Sequence, residues 1–318
     1  MGEQRVLAIM YHYVRDRAGT AEAGIRGLDT AAFTRQLDLL ARHLEPISWP
    51  MLYAWSCGRM RIPERCFLLT FDDGLADHAE VVAPLLERRG LRGVFFASGH
   101  ALEARGMDAA HQVHLLLATL GDVAFHDALR AWLDEHGPLD VGLGEVDREA
   151  AGRLYHYEPP DRALVKYFLH RVLPTDTRDR AVEELFRRHV GEPGEVARRW
   201  YLDCEQLVRL ETAGHTVGGH GFAHCPYVPM PFQDRVRDLY RSAGLLRSVL
   251  GPGLRPFSYP YGSFDRVTAL ACADAGFAQA FTTRRGWIRG DDPSHELNRV
   301  DTIAVEAFLE QELLCPQS

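Results

Sequence analysis

Seven short apolar runs, at residues 6–11, 66–71, 93–97, 216–219, 256–259, 278–283 and 299–303, recur between stretches of helical periodicity. That alternation constrains the fold more than any other feature. The run 66–71 is apolar throughout, as expected of a strand buried on both faces. Residues 30–43 place Phe33, Leu37 and Leu40 at helical spacing, with Leu44 continuing the series. Residues 79–89 do the same with Val82, Leu85 and Leu86, and 234–250 with Val236, Leu239, Tyr240 and Leu246. Strands alternating with amphipathic helices predict an α/β fold with a mainly parallel sheet and helices outside. Its functional site belongs at the C-terminal strand ends.

The texture changes between about 103 and 199. Residues 112–120, 123–136, 161–173 and 178–190 read as helices, Gly137, Pro138, Gly142 and Gly144 punctuate a looser stretch, and strand signals are few. We therefore expect one domain from 1–104 and 200–318, with 105–199 inserted as a helical cap that shapes substrate choice. His111 and His114 open this insertion and either line an entrance or sit on its surface.

With 318 residues and 46% apolar composition the chain can bury a sizeable core, and its net charge of −8 argues against nucleic acid as a partner. Arg15 and Arg26 are local candidates for meeting an acidic ligand. Cys57, Cys66, Cys204, Cys225, Cys272 and Cys315 form no CxxC pair, so no disulfide framework is expected. The first apolar stretch is short and holds His12, unlike a signal peptide, and no run reaches membrane-span length. A cytoplasmic location is the expectation.

Chemistry concentrates in three places. The run 66–71 ends in Asp72, Asp73 and Gly74, where a turn lets two adjacent carboxylates approach one site. Two carboxylates there repel and need a cation or a shared proton; the bland alternative is a solvated acidic turn. His220 and His224 stand four apart at the exit of the run 216–219, with Pro226 limiting any helix. Two histidines and a distant carboxylate match a three-ligand metal site with open positions. The third place is Ser258, Tyr259, Pro260, Tyr261 and Gly262.

In this order the motifs resemble the polysaccharide deacetylases, the NodB homology domain or carbohydrate esterase family 4. Thr70-Phe71-Asp72-Asp73-Gly74 matches the family's first motif, His220 and His224 its second, and Tyr259-Pro260-Tyr261-Gly262 the end of its third. The resemblance implies a distorted (β/α) barrel, seven-stranded, and a metal-dependent hydrolase that removes an N-acetyl group from an amino sugar. The substrate would be a bacterial surface polysaccharide or its nucleotide- or lipid-linked precursor. Asp73, His220 and His224 would hold the metal. Asp72 would be the general base on the attacking water, and the Tyr261 N–H would stabilise the oxyanion. Zinc suits these donors first, and cobalt, nickel, iron and manganese share them.

The chain also departs from the family pattern. Where a Leu-x-His motif usually supplies the general acid, residues 297–299 are Leu297, Asn298 and Arg299. His12, ending the first apolar run, takes that role by resemblance to a permuted branch of the family, with His295 as the second candidate. Ser258 stands where an arginine usually orients the base, and Arg299 is the candidate replacement. Gly221 replaces a hydroxyl residue, a loss expected to loosen the histidine loop. Arg26, Pro260, Trp287 and Arg299 are the candidate substrate-side residues, with Trp287 as an aromatic wall near the acyl group or ordinary core. Cys225 is a further soft donor beside His224. The alternatives to deacetylation are deformylation of an amino sugar and a degenerate glycan-binding module.

Overall fold

The computed structural model describes residues 3–16, 20, 23–25, 27–103, 106–136, 147–155 and 158–314. Arg26, Cys315 and the loose stretch around 137–144 lie outside them.

Among the described residues, nine strands form one sheet: β1 (Arg5–Tyr11), β2 (Glu45–Pro46), β3 (Arg65–Phe71), β4 (Gly93–Ala97), β5 (Thr216–Gly219), β6 (Arg255–Ser258), β7 (Phe277–Phe281), β8 (Ile288–Arg289) and β9 (Val300–Asp301). The ladder runs β7-β6-β5-β4-β3-β1, with β8 and β9 on the far side of β1 and β2 beside β3. Every pairing is parallel except β1 with β8. With the two-residue β2 set aside as a side pairing on β3, the seven parallel strands β1, β3 to β7 and β9 make a curled half-barrel. Its two ends approach through one segment: Leu297 bridges Phe281 of β7, and Val300 pairs with Ile9 of β1.

Period-two alternation explains why the strands are apolar throughout. Leu7, Ile9 and Tyr11 of β1, with Phe67, Leu69 and Phe71 of β3, join a core that includes Phe33, Leu37 and Leu40. Those last three come from the helix Thr30–His43, capped at its start by the Asp29 carboxylate on the Ala32 N–H (2.6 Å). The intervening Val6, Ala8, Cys66 and Leu68 join a second core with Val94, Phe96 and Phe281. The rings of Phe96 (β4) and Phe281 (β7) lie 5.7 Å apart although two strands separate them in the ladder. The second core therefore fills the concave side of the curl. The helix Trp49–Ser56 contributes Trp49, Leu52 and Trp55 to it.

The chain divides into two compact units: residues 1–16, 27–105 and 198–318, and residues 17–26 with 106–197. The sheet belongs to the first. The second is helical in its described residues. Its long helix Ala109–His136 is broken by non-helical Gly121 and packs on the helix Thr175–His189. Trp132 Nε1–H donates to Glu184 (2.8 Å) across that pair. His111 is not a surface residue: it is buried, with Nδ1 3.8 Å from Asp108. Cys57, Cys66, Cys204, Cys225 and Cys272 are all free thiols. No helix of the described residues is long and apolar enough to cross a membrane.

Candidate metal centre

The C-terminal strand ends supply the site. β1 and β3 pair with Tyr11 opposite Phe71, and the Asp72 N–H donates to the Tyr11 carbonyl (2.9 Å). His12 and Asp72 therefore leave adjacent strands side by side. His220 leaves β5, its N–H held by the carbonyl of Ala97 at the end of β4 (3.0 Å). Ser258 ends β6, and Arg299 directly precedes β9.

The two adjacent carboxylates face different partners. Asp73 turns away into a left-handed conformation (φ 75°), followed by Gly74 (φ 61°). Its Oδ1 lies 3.3 Å from His220 Nε2 and 3.2 Å from His224 Nε2. Asp72 instead meets Arg299, which donates from Nη1 to Oδ1 and from Nη2 to Oδ2, both at 2.7 Å. Arg299 gives Asp72 its own counter-charge, so of the two acids it is Asp73 that still calls for a cation.

Asp73, His220 and His224 are buried, and one donor atom from each falls within 4.8 Å of the others. Two ligands about 2.05 Å from a tetrahedral centre stand about 3.3 Å apart, so the Asp73 contacts suit a metal of zinc's size. The tautomer suits it too. His220 Nδ1–H donates to the Ser258 carbonyl (2.7 Å), leaving the Nε2 lone pair toward Asp73. The donor set fits a divalent ion.

No helix carries the histidine pair. His220 to Pro231 is irregular backbone, with Gly221 (φ 72°) and His224 (φ 50°) turned into the left-handed region. The two rings lie 4.9 Å apart, and the Tyr261 ring is 5.2 Å from that of His224. Among the described residues, the non-glycine residues with positive φ are Asp73, His224 and Tyr261. Backbone strain of this kind persists where surrounding structure enforces it, and it clusters at functional sites. Here it falls on two donors of one cluster and on the residue packed against it.

Arg299 is nearly inaccessible (1% exposed). Besides Asp72 it donates from Nε to the Thr282 carbonyl (2.9 Å), from Nη1 to Thr70 Oγ1 (3.2 Å) and from Nη2 to Ser258 Oγ (2.8 Å). Arg299 thus lies behind Asp72 with its donors occupied and no free face for a substrate. Burial alone would push Asp72 up; the charges of Arg299, then His220, with the Arg299 hydrogen bonds and His12, bring it down to about 2. It is ionised at neutral pH.

Other expected residues lie elsewhere. Trp287 packs under Arg5 (4.2 Å) at the opposite end of β1 and donates from Nε1 to Glu312 (2.8 Å). It lines no acyl pocket at these strand ends. His295 donates from Nε2 to the carbonyl of Phe277, the first residue of β7 (2.9 Å), so it too sits away from the C-terminal ends. Arg15 is held by Asp77 (2.7 Å from Nε) and lies over Trp200 (4.3 Å). The Cys225 thiol is exposed and donates to the Ala223 carbonyl (3.3 Å), outside the donor cluster. Pro260 is buried and backs onto Gly221. His12 is half-buried.

Two residues had no sequence signal. His78 is fully buried and donates from Nε2 to the His12 carbonyl (3.1 Å). Burial pushes it down to about 4, against that bond and the charge of Asp73. The other is Asp238, whose carboxylate accepts from the N–H groups of Phe222 (2.8 Å) and Ala223 (2.7 Å).

A sequence model of the polysaccharide deacetylase family matches residues 187–280, which contain both histidines and Tyr259 to Gly262. The chain has the motifs and fold of the polysaccharide deacetylases. The deacetylase PplD of Streptococcus pyogenes, solved with acetate, superposes with a TM-score of 0.61 at 13% identity, covering 97% of this chain and 98% of that one. IcaB of Ammonifex degensii gives 0.58 at 18% identity, covering 96% of each. A de-N-acetylase of Aggregatibacter actinomycetemcomitans gives 0.56 at 15%, covering 93% and 94%. At these identities the neighbours establish the fold alone. The comparison with curated proteins gives no match.

Proposed function

We propose that the protein is a metal-dependent deacetylase that removes an N-acetyl group from an amino sugar of a bacterial surface polysaccharide or its precursor. One observation carries this reading: a buried Asp73–His220–His224 donor cluster stands beside an ionised Asp72 at the strand ends of a deacetylase fold. The acetate bound to PplD and the de-N-acetylase neighbour support acetyl on nitrogen as the group, and the polysaccharide deacetylase match supports a sugar as its carrier.

Asp73, His220 and His224 would hold a divalent ion, which when bound would supply Lewis-acid chemistry to the acyl carbonyl and to water. Asp72 takes up the proton of the attacking water. Its Oδ2 already accepts from Arg299 and Ser258, whereas Oδ1 accepts from Arg299, which leaves Oδ1 a lone pair for that proton. The Arg299 fork fixes the plane of the carboxylate. The Tyr261 N–H is the donor for the oxyanion of the tetrahedral intermediate. His12, leaving β1 next to Asp72, protonates the departing nitrogen, which is expelled as an amine.

The test is metal content together with product. Wild type should carry about one equivalent of metal, and Asp73→Ala and His220→Ala little. Loaded wild type should release acetate from an N-acetylated glucosamine oligomer. Absence of stoichiometric metal after reconstitution with zinc, cobalt and nickel would sink the reading in favour of a glycan-binding module. Release of formate alone from N-formylated sugar would replace acetyl as the group removed.

A further inference from the structure

The loop bearing His220 and His224 has no regular structure of its own, yet its backbone is fastened at nearly every residue between them. The Gly221 carbonyl accepts from the Gly99 N–H (3.0 Å), and the Phe222 carbonyl from the His100 N–H (2.6 Å). From the other side comes Asp238, a buried residue of the helix Phe232–Leu250. Its Oδ2 accepts from the Phe222 N–H (2.8 Å) and the Tyr227 hydroxyl (2.7 Å), and its Oδ1 from the Ala223 N–H (2.7 Å). Bonds from N–H to an ionised carboxylate are among the stronger hydrogen bonds. Phe222 and Ala223 are two of the three residues separating the histidines, so the carboxylate fixes the span that sets one ring against the other.

Gly221 explains why this arrangement is possible. It sits at φ 72°, and a Cβ there would stand 3.1 Å from both Asp238 Oδ2 and Tyr227 Oη. The position is reserved for glycine as long as the carboxylate occupies the space. The absent hydroxyl at 221 therefore does not leave the loop loose: the fastening comes from the neighbouring helix.

We propose that Asp238 is a positioning residue for metal binding, holding the His220–His224 loop in its ligating shape before the ion arrives. This rests on the metal-centre reading above. Asp238 is outside the donor cluster, so it acts through the loop. A loop ordered in advance loses less freedom on binding, and hydrogen-bond partners behind metal ligands typically carry 10–100-fold in affinity.

Asp238→Asn tests this with little change in volume. An amide in this place must turn its NH2 toward the N–H of Phe222 or of Ala223, opposing donor to donor. Gly221→Ala strikes the same contact from the loop side and serves alone if the first variant does not fold. The readouts are zinc and cobalt affinity by chelator competition, the visible spectrum of the cobalt-loaded protein, and the melting temperature of the metal-free form. We expect both variants to bind each ion about 10–100-fold more weakly, with altered cobalt absorption. Folded variants that match wild-type affinity and spectrum overturn the proposal, including when their metal-free melting temperature falls, since that is the mark of a purely structural residue. A wild type that binds neither ion overturns the metal-centre reading and this inference together.

Discussion

Asp72 is gripped by a side chain 227 positions away. Arg299 lies just before β9, and β9 lies beside β1, so the guanidinium reaches Asp72 from the strand that nearly closes the curl. The fork needs two parallel N–H donors in one plane, which lysine does not possess. Arg299→Lys should therefore keep the metal, because Arg299 touches none of the three donors, while letting the carboxylate rotate. A small misplacement of a reacting group costs roughly 10²-fold, so we expect kcat to fall by about that factor with near-stoichiometric metal retained. Activity within threefold of wild type would show that the plane of Asp72 is fixed by Ser258 and the backbone instead.

The next scale is the strand exit, where β3 must release two carboxylates in different directions within two residues. The left-handed pair Asp73–Gly74 does this, and Gly74 is crowded as well as turned. A Cβ there would lie 3.1 Å from both Cα and Cβ of Ala97, the last residue of β4. Gly74→Ala should cost at least about 1–2 kcal/mol from the left-handed backbone alone, read as a lower urea midpoint, and should weaken zinc binding by displacing Asp73. An unchanged midpoint would mean the exit relaxes freely. Much at this scale was legible in sequence. The strands showed as apolar runs because both faces are buried, and the helix over 30–43 showed because only one face is. The helix Trp49–Ser56 was not legible, since Trp49, Leu52 and Trp55 leave little polar face to set a period and Pro50 suggests a break. The histidine pair was legible as a strand exit with little room for a helix, but the joining turn was not: Gly221 and a left-handed His224 bring the rings together. Asp238 was hidden for a related reason: its meaning lies in backbone N–H groups that sequence does not display.

At the scale of the molecule, the cluster ties together the exit of β3 and the loop after β5, both in the first of the two units. The second unit buries its own apolar set, including Leu116, Phe125, Leu129, Phe168 and Phe186, and holds none of the three donors. An ion that binds only the folded first unit stabilises that unit by mass action, by about 4 kcal/mol when free metal exceeds Kd a thousandfold. For a unit of this size, each kcal/mol raises a melting temperature by roughly 2–4 °C, so the shift should be on the order of 8–16 °C. Calorimetry with zinc and with a chelator reads this directly. Because the donors belong to one unit, we expect the zinc-sensitive transition to move and a second, helical transition to stay in place. Asp73→Ala should abolish the shift. Were the whole profile to move as one peak, the units would melt cooperatively. Were nothing to move while metal analysis found zinc bound, the ion would be held by residues other than Asp73, His220 and His224.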